Sequence, residues 1–476
     1  MKKLLLILLF SPAILTNITF AQPSITWQRT YDGPMHLNDY GNAVCQSTDG
    51  NFYVVGSTVS RIYVLKLSVY GDTIWTKIIG SGSDSTQNAL SVAASNDGGC
   101  VITGDWNPNS FLIKLNSFGI EEWHKVYGCC GIQCFDLKKT VDGGYIACGK
   151  ANYTYGYILK TDSLGNQLWE KYYAPFAFKS FHSIAEDNHG GYIVAGSDQP
   201  DTPKVDIMKI TGTGDVVWEK FYTVLGRQAG ADFIHIINNG YIIGGGTCDT
   251  SCTGSRTFFI KIDTSGNKYY SYIFPSVIKE AFYSAAIAND NKYVFSTFKF
   301  TSNGNDTVYA YLRITDSTGN EMYGRRIPAL RDVGFNGIAP QSNKDIVFAG
   351  FLNEVPGGYQ KYDVYVIRTD STLNFPGVIG INGISINTPN AFLLYQNYPN
   401  PFNPETNIKF DLPESGLVSL KVYDIIGREV AELINEVLKR GSYSVNFEPH
   451  NLASGIYIYT LKTNDFSISK KMVYLA

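Results

Sequence analysis

The residues of this 476-residue chain that could do chemistry are few in kind and regular in place. His36, His124, His182, His189, His235 and His450 are scattered, and no His-x-x-x-His or Cys-x-x-Cys pair gives zinc-ligand spacing. There is no Gly-x-Ser-x-Gly elbow and no Gly-Lys-Ser/Thr loop, so neither a strand-to-helix serine nucleophile nor a phosphate cradle is expected. What does recur is a basic residue, at Lys66, Lys114, Lys160, Lys209, Lys261, Arg313 and Arg368, and an aromatic one, at Trp75, Trp123, Trp169, Trp218, Tyr270 and Tyr323. A ring of cations would hold anions, and a row of rings would stack sugars. Residues spaced this evenly are more simply structural: cations paired with Asp162, Asp263, Asp316 or Asp206, and rings packed between units. The Asp-Gly-Gly tripeptides read as turns, with Gly supplying positive φ. No metal and no cofactor is expected.

Eight cysteines remain. In an exported chain they read first as disulfides. Cys248 and Cys252, with three residues between them in a polar loop, are the candidate local bridge. Cys129, Cys130, Cys134 and Cys148 cluster within one unit, where several pairings are open, and Cys45 and Cys100 either pair or stay as buried thiols.

These residues sit on a repeat. Asp142-Gly143-Gly144-Tyr145-Ile146-Ala147-Cys148-Gly149 is one β-rich run, and Tyr157 to Lys160 is a second. A Gly-Asn turn then leads to Trp169. The closing Gly of the first run recurs at Gly56, Gly104, Gly149, Gly196, Gly245 and Gly350, with Thr297 in the sixth copy, so the steps are 48, 45, 47, 49, 52 and 53 residues. A second Gly follows the basic residue at Gly71, Gly119, Gly165, Gly214, Gly266 and Gly319. Four strands per period, seven times over, is the arithmetic of a β-propeller. The segment Ile25 to Tyr31 matches an anchor strand with no repeat before it, and the seventh copy lacks one. The Trp27 strand is therefore expected to complete the seventh unit and close the ring.

Composition bounds the rest. With 33 Tyr, 27 Phe, 46 Gly and 17% charged residues, the chain is β-rich. Net charge is −3 with no basic stripe, which speaks against nucleic acid as a partner. Met1 to Ala21 has the layout of a secretory signal peptide, and no later run is apolar for the ~20 residues of a membrane span.

After residue 376 the repeat gives way to a linker, 377–390, and then to five strand-like segments. Only Glu429 to Leu438 reads ambiguously as helix. The tail carries Asn397-Tyr398-Pro399-Asn400-Pro401-Phe402-Asn403-Pro404, then Gly427 after Val422-Tyr423-Asp424, then Gly455-Ile456-Tyr457, then Lys470-Lys471-Met472-Val473. In this order the motifs resemble the type A C-terminal sorting domain of the type IX secretion system. The resemblance implies a Bacteroidetes-like host, export through the periplasm, and recognition of the tail by the type IX machinery. The residues carrying it are Asn397, Pro399, Asn400, Pro401, Phe402, Asn403, Pro404, Gly427, Gly455, Tyr457 and Lys471.

The repeats themselves resemble delta-60-type repeats of exported bacterial proteins and, more distantly, quinoprotein propellers with their Gly-x-x-x-Trp docking motif. Quinoproteins can also carry a vicinal cysteine ring, to which Cys129-Cys130 would correspond. No acid-rich calcium constellation accompanies it here, so pyrroloquinoline quinone is not expected.

The expected architecture is all-β: a signal peptide at 1–21, a seven-bladed β-propeller at 22–376 closed by its N-terminal strand, and an immunoglobulin-like sorting sandwich at 391–476. The expected function is binding of a glycan or protein at a propeller face by a secreted or surface-attached protein, with no transmembrane segment in the mature chain. The loops 197–205, 247–256, 301–307 and 352–362 vary most between units. The alternative is a glycan-active hydrolase or lyase with acids converging on the channel.

Overall fold

The computed structural model describes residues 26–374 and 393–475 apart from short connections, the longest being 81–86, 249–254, 301–307 and 354–360. The signal segment, the linker and most of the variable loops lie outside the described residues. Every described element is a β-strand. The chain divides into two compact units, one holding most of the chain up to Pro376 and the other holding Gly377–Ala476 with Pro328–Asp332 and Asn353–Lys361.

The larger unit contains seven four-stranded antiparallel sheets among the described residues. Six are consecutive in sequence, spanning 39–79, 87–127, 132–173, 180–222, 228–273 and 280–327. The seventh joins Val333–Pro340, Ile346–Asn353 and Tyr362–Thr369 to Trp27–Tyr31 from the other end of the chain. Trp27 pairs with Arg368 and Tyr31 with Val364, so the N-terminal strand supplies the fourth strand that the last repeat lacks.

Burial follows the strand order. Second and third strands, such as Phe52–Thr58 and Arg61–Leu67, are buried along nearly their whole length, which is why they read as continuous apolar runs. Fourth strands such as Thr73–Ile79 are mostly exposed or half-buried. The cores lie between sheets. Tyr53, Val55 and Ile62 of the first sheet pack with Ala89, Ile102 and Phe111 of the second. Val44, Phe52 and Tyr63 of the first pack with Trp27, Val347 and Val364 of the seventh. Each such apolar side chain contributes about 1.5–3 kcal/mol when fully buried, so no sheet is a stable unit without its neighbours.

Both glycine series have a geometric cause. In each sheet the first strand carries a β-bulge at the same place, between Cys134 and Asp136 for example. The periodic Gly pairs with the residue just before the bulge, where a Cβ on Gly149 would stand 1.8 Å from the carbonyl oxygen of Gln133. The second series sits in the turn after the third strand at positive φ, and receives the aromatic anchor of the preceding sheet. A Cβ on Gly119, at φ +79, would meet the Trp75 ring at 3.1 Å. The indole N–H groups of Trp27, Trp75, Trp169 and Trp218 donate to the carbonyls of Val69, Ser117, Gly212 and Thr264 in those turns. In the seventh sheet Leu373 occupies the position at φ 64, fully buried.

The smaller unit has two sheets. Thr406–Leu412 lies between Leu393–Leu394 and Gly441–Phe447, while Gly416–Asp424 and Gly455–Lys462 lie between Glu429–Leu438 and Ser467–Tyr474. Alternation in Thr406–Leu412 puts Ile408, Phe410 and Leu412 on one buried face. They form one core with Val418, Leu420, Tyr459 and Met472 from the other sheet. Glu429–Leu438 is a strand, held by pairing with Gly416–Asp424 despite two register shifts.

Candidate functional site

The first strands of the seven sheets meet in order, each against the next and the seventh against the first. They enclose a cavity of about 200 Å³. The seven residues skipped by the bulges all line it: Asn42, Leu90, Phe135, His182, Asp232, Tyr283 and Asn336. The backbone is thus the same in every sheet, but it presents six residue types at seven positions, with Asn recurring only at Asn42 and Asn336. Conserved geometry with varied chemistry is what a recognition surface requires.

The polar groups of this cavity are connected. Asp136 accepts from the N–H of Leu137 at 2.9 Å and of Ile184 at 3.1 Å, from the hydroxyls of Ser91 and Ser183 at 3.3 Å each, and from Lys138 at 2.9 Å. One carboxylate therefore ties three adjacent sheets together. Asn336 donates to the Gly41 carbonyl at 3.0 Å, and Asn42 to that of Ala89 at 2.9 Å, which continues the link from the seventh sheet to the first and on to the second.

A separate chain runs through His182. Its Nδ1 lies 2.7 Å from Asp232 Oδ1 and its Nε2 lies 2.8 Å from Ser180 Oγ. Asp232, when ionised, can only accept, so Nδ1 carries a proton. In the neutral ring Nε2 is then the acceptor of the Ser180 hydroxyl. Phe135 packs on the imidazole with ring centroids 5.1 Å apart. Serine, imidazole and carboxylate connected in this order can activate a hydroxyl. Asp136 and Asp232, the carboxylates that line this cavity, are thus both engaged by neighbouring groups.

Six of the seven members of the basic series are paired, but with different partners from those expected. Lys66, Lys114, Lys160 and Lys209 bind Asp49, Asp97, Asp142 and Asp187, in the turns between first and second strands, at 2.6–2.9 Å. Arg313 binds Glu280 and Glu321, and Arg368 binds Asp345. Asp162, Asp263 and Asp316 instead accept from backbone N–H groups of their own turns. Asp206 pairs with Lys179 at 3.0 Å. The turns between first and second strands therefore supply these four counter-ions, a pairing invisible in sequence because the partners are 17 to 22 residues apart.

Cys45, Cys100, Cys134 and Cys148 are free thiols, and burial pushes Cys45 up to about 12 and Cys134 up to about 11. Cys100, Cys134 and Cys148 are buried in the core and Cys45 is half-buried against it. Cys129, Cys130 and Cys252, and the side chain of Cys248, lie outside the described residues. One group escaped sequence reasoning altogether: Asp32, Asp39 and Asp363 bring carboxylate oxygens within 4.8 Å of one another. Only the pairing of the two chain ends in the seventh sheet reveals it. An acidic cluster alone defines no ion site.

In the tail, the motif residues fasten the final strand. Asn397 is buried; its N–H donates to the Tyr459 hydroxyl at 2.7 Å and its side-chain amide to Thr406 Oγ1 and the Pro399 carbonyl, each at 3.0 Å. Asn400 Oδ1 accepts from Val473 N–H at 2.8 Å, and Phe402 exchanges backbone bonds with Val473 and Leu475. The Phe402 ring is 2% exposed, against Phe447 and Tyr474. Gly427 turns the chain at φ 82, and Tyr457, two residues after Gly455 opens its strand, donates to the Ala453 carbonyl at 2.8 Å. Pro399, Pro401, Asn403, Pro404 and Lys471 are exposed. The buried motif residues build the tail; the exposed ones face solvent.

An all-β chain with repeated four-stranded antiparallel sheets and this tail defines the class, an exported β-repeat protein with a sorting domain. Residues 396–474 match the family described as the secretion system C-terminal sorting domain. No curated protein matches the chain. Among solved structures it is similar to PorZ, an essential bacterial surface component of the type-IX secretion system of Porphyromonas gingivalis, with TM-score 0.44 and 13% identity over 94% of this chain. The match takes in 60% of the PorZ chain. It is also similar to Saccharomyces cerevisiae Sqt1, with TM-score 0.46 and 9% identity over 89% of this chain and 98% of that one. Among the described residues no helix is long and apolar enough to cross a membrane.

Proposed function

We propose that this is a seven-bladed β-propeller of the delta-60 type, closed by its Trp27 strand, that acts as a binding module. Type IX secretion carries it to the cell exterior on an immunoglobulin-like sorting sandwich at 391–476. The sorting-domain match over 396–474 carries the export reading. The ring reading is supported by the pairing of Trp27–Tyr31 with the last repeat and by the contact between the first strands of the seventh and first sheets. The ligand, a glycan or a protein, meets one end of the cavity, where Asn42, Leu90, Phe135, His182, Asp232, Tyr283 and Asn336 offer six kinds of side chain on one framework. Exposed Pro401, Asn403, Pro404 and Lys471 face the secretion machinery.

The test of export is the full chain expressed in a host with this secretion route, beside a version ending at residue 390. The full chain reaches the cell surface or medium and the truncated one accumulates in the periplasm. Equal export of both overturns the reading.

One observation favours hydrolysis as a second reading: the Ser180–His182–Asp232 chain. A fluorophosphonate probe should then label the full chain at Ser180, and Asp232→Asn should abolish labelling. No labelling of the folded wild type removes this reading and leaves the binding module.

A further inference from the structure

The ion pair between the third-strand cation and a carboxylate recurs in six of the seven sheets and fails in the fifth. There the turn between first and second strands is Ile237-Asn238-Asn239-Gly240, and Asn238 stands three residues before Tyr241, as Asp142 stands three before Tyr145. Among the described residues Lys261 is the member of the series with no carboxylate partner. A second departure falls beside it. The fifth anchor is Tyr270, whose hydroxyl donates to the Ser317 carbonyl at 2.5 Å as the indoles of other sheets do, but with a smaller ring. Where both departures coincide there is a cavity of about 520 Å³, within the usual range for small-molecule sites. Lys261, Asn238, Asn239, Tyr269, Tyr270 and Tyr293 line it. The Lys261 ammonium lies 6.0 Å from the centroid of the Tyr270 ring, and Tyr269 is 58% exposed.

We propose that this cavity is a binding site for an acidic saccharide of the uronate type. The three kinds of group present match the three parts of such a ligand. Lys261 lacks the turn aspartate that serves the cation in five other sheets, and a sugar carboxylate replaces it. The side-chain amides of Asn238 and Asn239 both donate and accept, as a row of hydroxyls requires. The exposed phenol of Tyr269 gives the C–H face of a pyranose an apolar plane. An acidic peptide would use the cation but leave the paired amides and the aromatic plane without matching groups. The inference stands apart from the central cavity and from the export route, and it is tested on purified full-length chain.

The probe is a trigalacturonate, titrated by calorimetry beside a neutral trisaccharide of the same size and a short polyglutamate peptide. The uronate binds, at least tenfold more tightly than either control, and its affinity falls as salt is raised. Lys261→Gln and Asn238→Asp each weaken it tenfold or more, the second by restoring the internal carboxylate of the other sheets while leaving the lysine in place. Both variants keep the melting temperature within a few degrees, so a fold defect is separated from a binding defect. Equal binding of the neutral sugar or the peptide, no binding of the uronate, or unchanged affinity in Asn238→Asp each overturns the proposal.

Discussion

The repeated unit and the tail use their distinctive residues in opposite ways. In the repeated unit a residue type that returns every period is consumed by the fold: the first glycine by the bulge, the second by the incoming indole, the lysine by the turn aspartate. Variation that opens onto a cavity falls at the bulge position, where one backbone shape presents seven side chains, and in the fifth sheet, where the ion pair lapses. In the tail each motif residue occurs once, and burial divides the motif: Asn397 and Phe402 are internal while Pro401, Asn403 and Pro404 face solvent. Repetition marks structure in the first region, whereas in the second one short motif holds both core and surface residues.

The sharpest break of this comparison is at a repeated glycine. Gly149→Val would drive a side chain into the Gln133 carbonyl, and we expect a loss of about 4–5 kcal/mol or failure to fold. Gly143, at φ +84 in an open turn with nothing within 4 Å of a Cβ, should cost only about 1–2 kcal/mol on change to Ala. Urea unfolding of the two variants measures the gap, and equal losses would show that the bulge does not dictate the glycine. Next is Trp27→Ala, which removes a ring 7% exposed from the strand shared between chain ends; about 3–5 kcal/mol is expected. Limited proteolysis should then release the first residues of the strand before any internal sheet is cut.

In the tail, Asn397→Ala leaves the Thr406 hydroxyl and the Pro399 carbonyl short of a buried donor and should cost about 1–3 kcal/mol. Export falls with it, through unfolding of the tail. Lys471→Ala, on an exposed side chain, should leave tail stability within about 0.5 kcal/mol. A drop in surface delivery with no change in melting would place Lys471 among the residues read by the export apparatus, and a drop in both would return it to the fold.

The period of the glycines, the orphan strand at Trp27 and the tail motif were legible because each leaves its mark in residue type at a fixed interval or order. What stayed hidden depends on which strands lie beside which. Lys160 finds Asp142 across two strands, Ser180 and His182 find Asp232 fifty residues on, and Asp39 finds Asp363 only through the seventh sheet. Leu373 was missed for a different reason. A leucine at φ 64 breaks the residue rule for that turn, and its full burial compensates for the strain.

The smallest expected effect is acid sensitivity, and its sign follows from the turn pairs. Partial burial raises the carboxyl of Asp142, but the Lys160 ammonium, the Thr140 hydroxyl and the Gly144 N–H outweigh it and hold the group down at about 2. Asp97 is held at about 2 in the same way by Lys114, Ser95 and Gly99. A carboxyl lowered on folding adds stability above its unfolded value near 4, and that contribution is lost as pH falls through about 2. Both carboxylates are about half exposed, so solvent screens each contribution. The lysines are the larger concern, since Lys114 and Lys160 are nearly buried and lose their counter-ion when the carboxyl takes a proton. Melting temperature between pH 5 and pH 2 should therefore fall faster for the wild type than for Asp142→Asn, which has already lost the charge. Parallel slopes would mean that the repeated pairs fix turn geometry without contributing to stability. In the tail, Lys421 with Glu429 and Glu432 is a partly exposed cluster, and its acid response should be shallower than that of the repeated sheets.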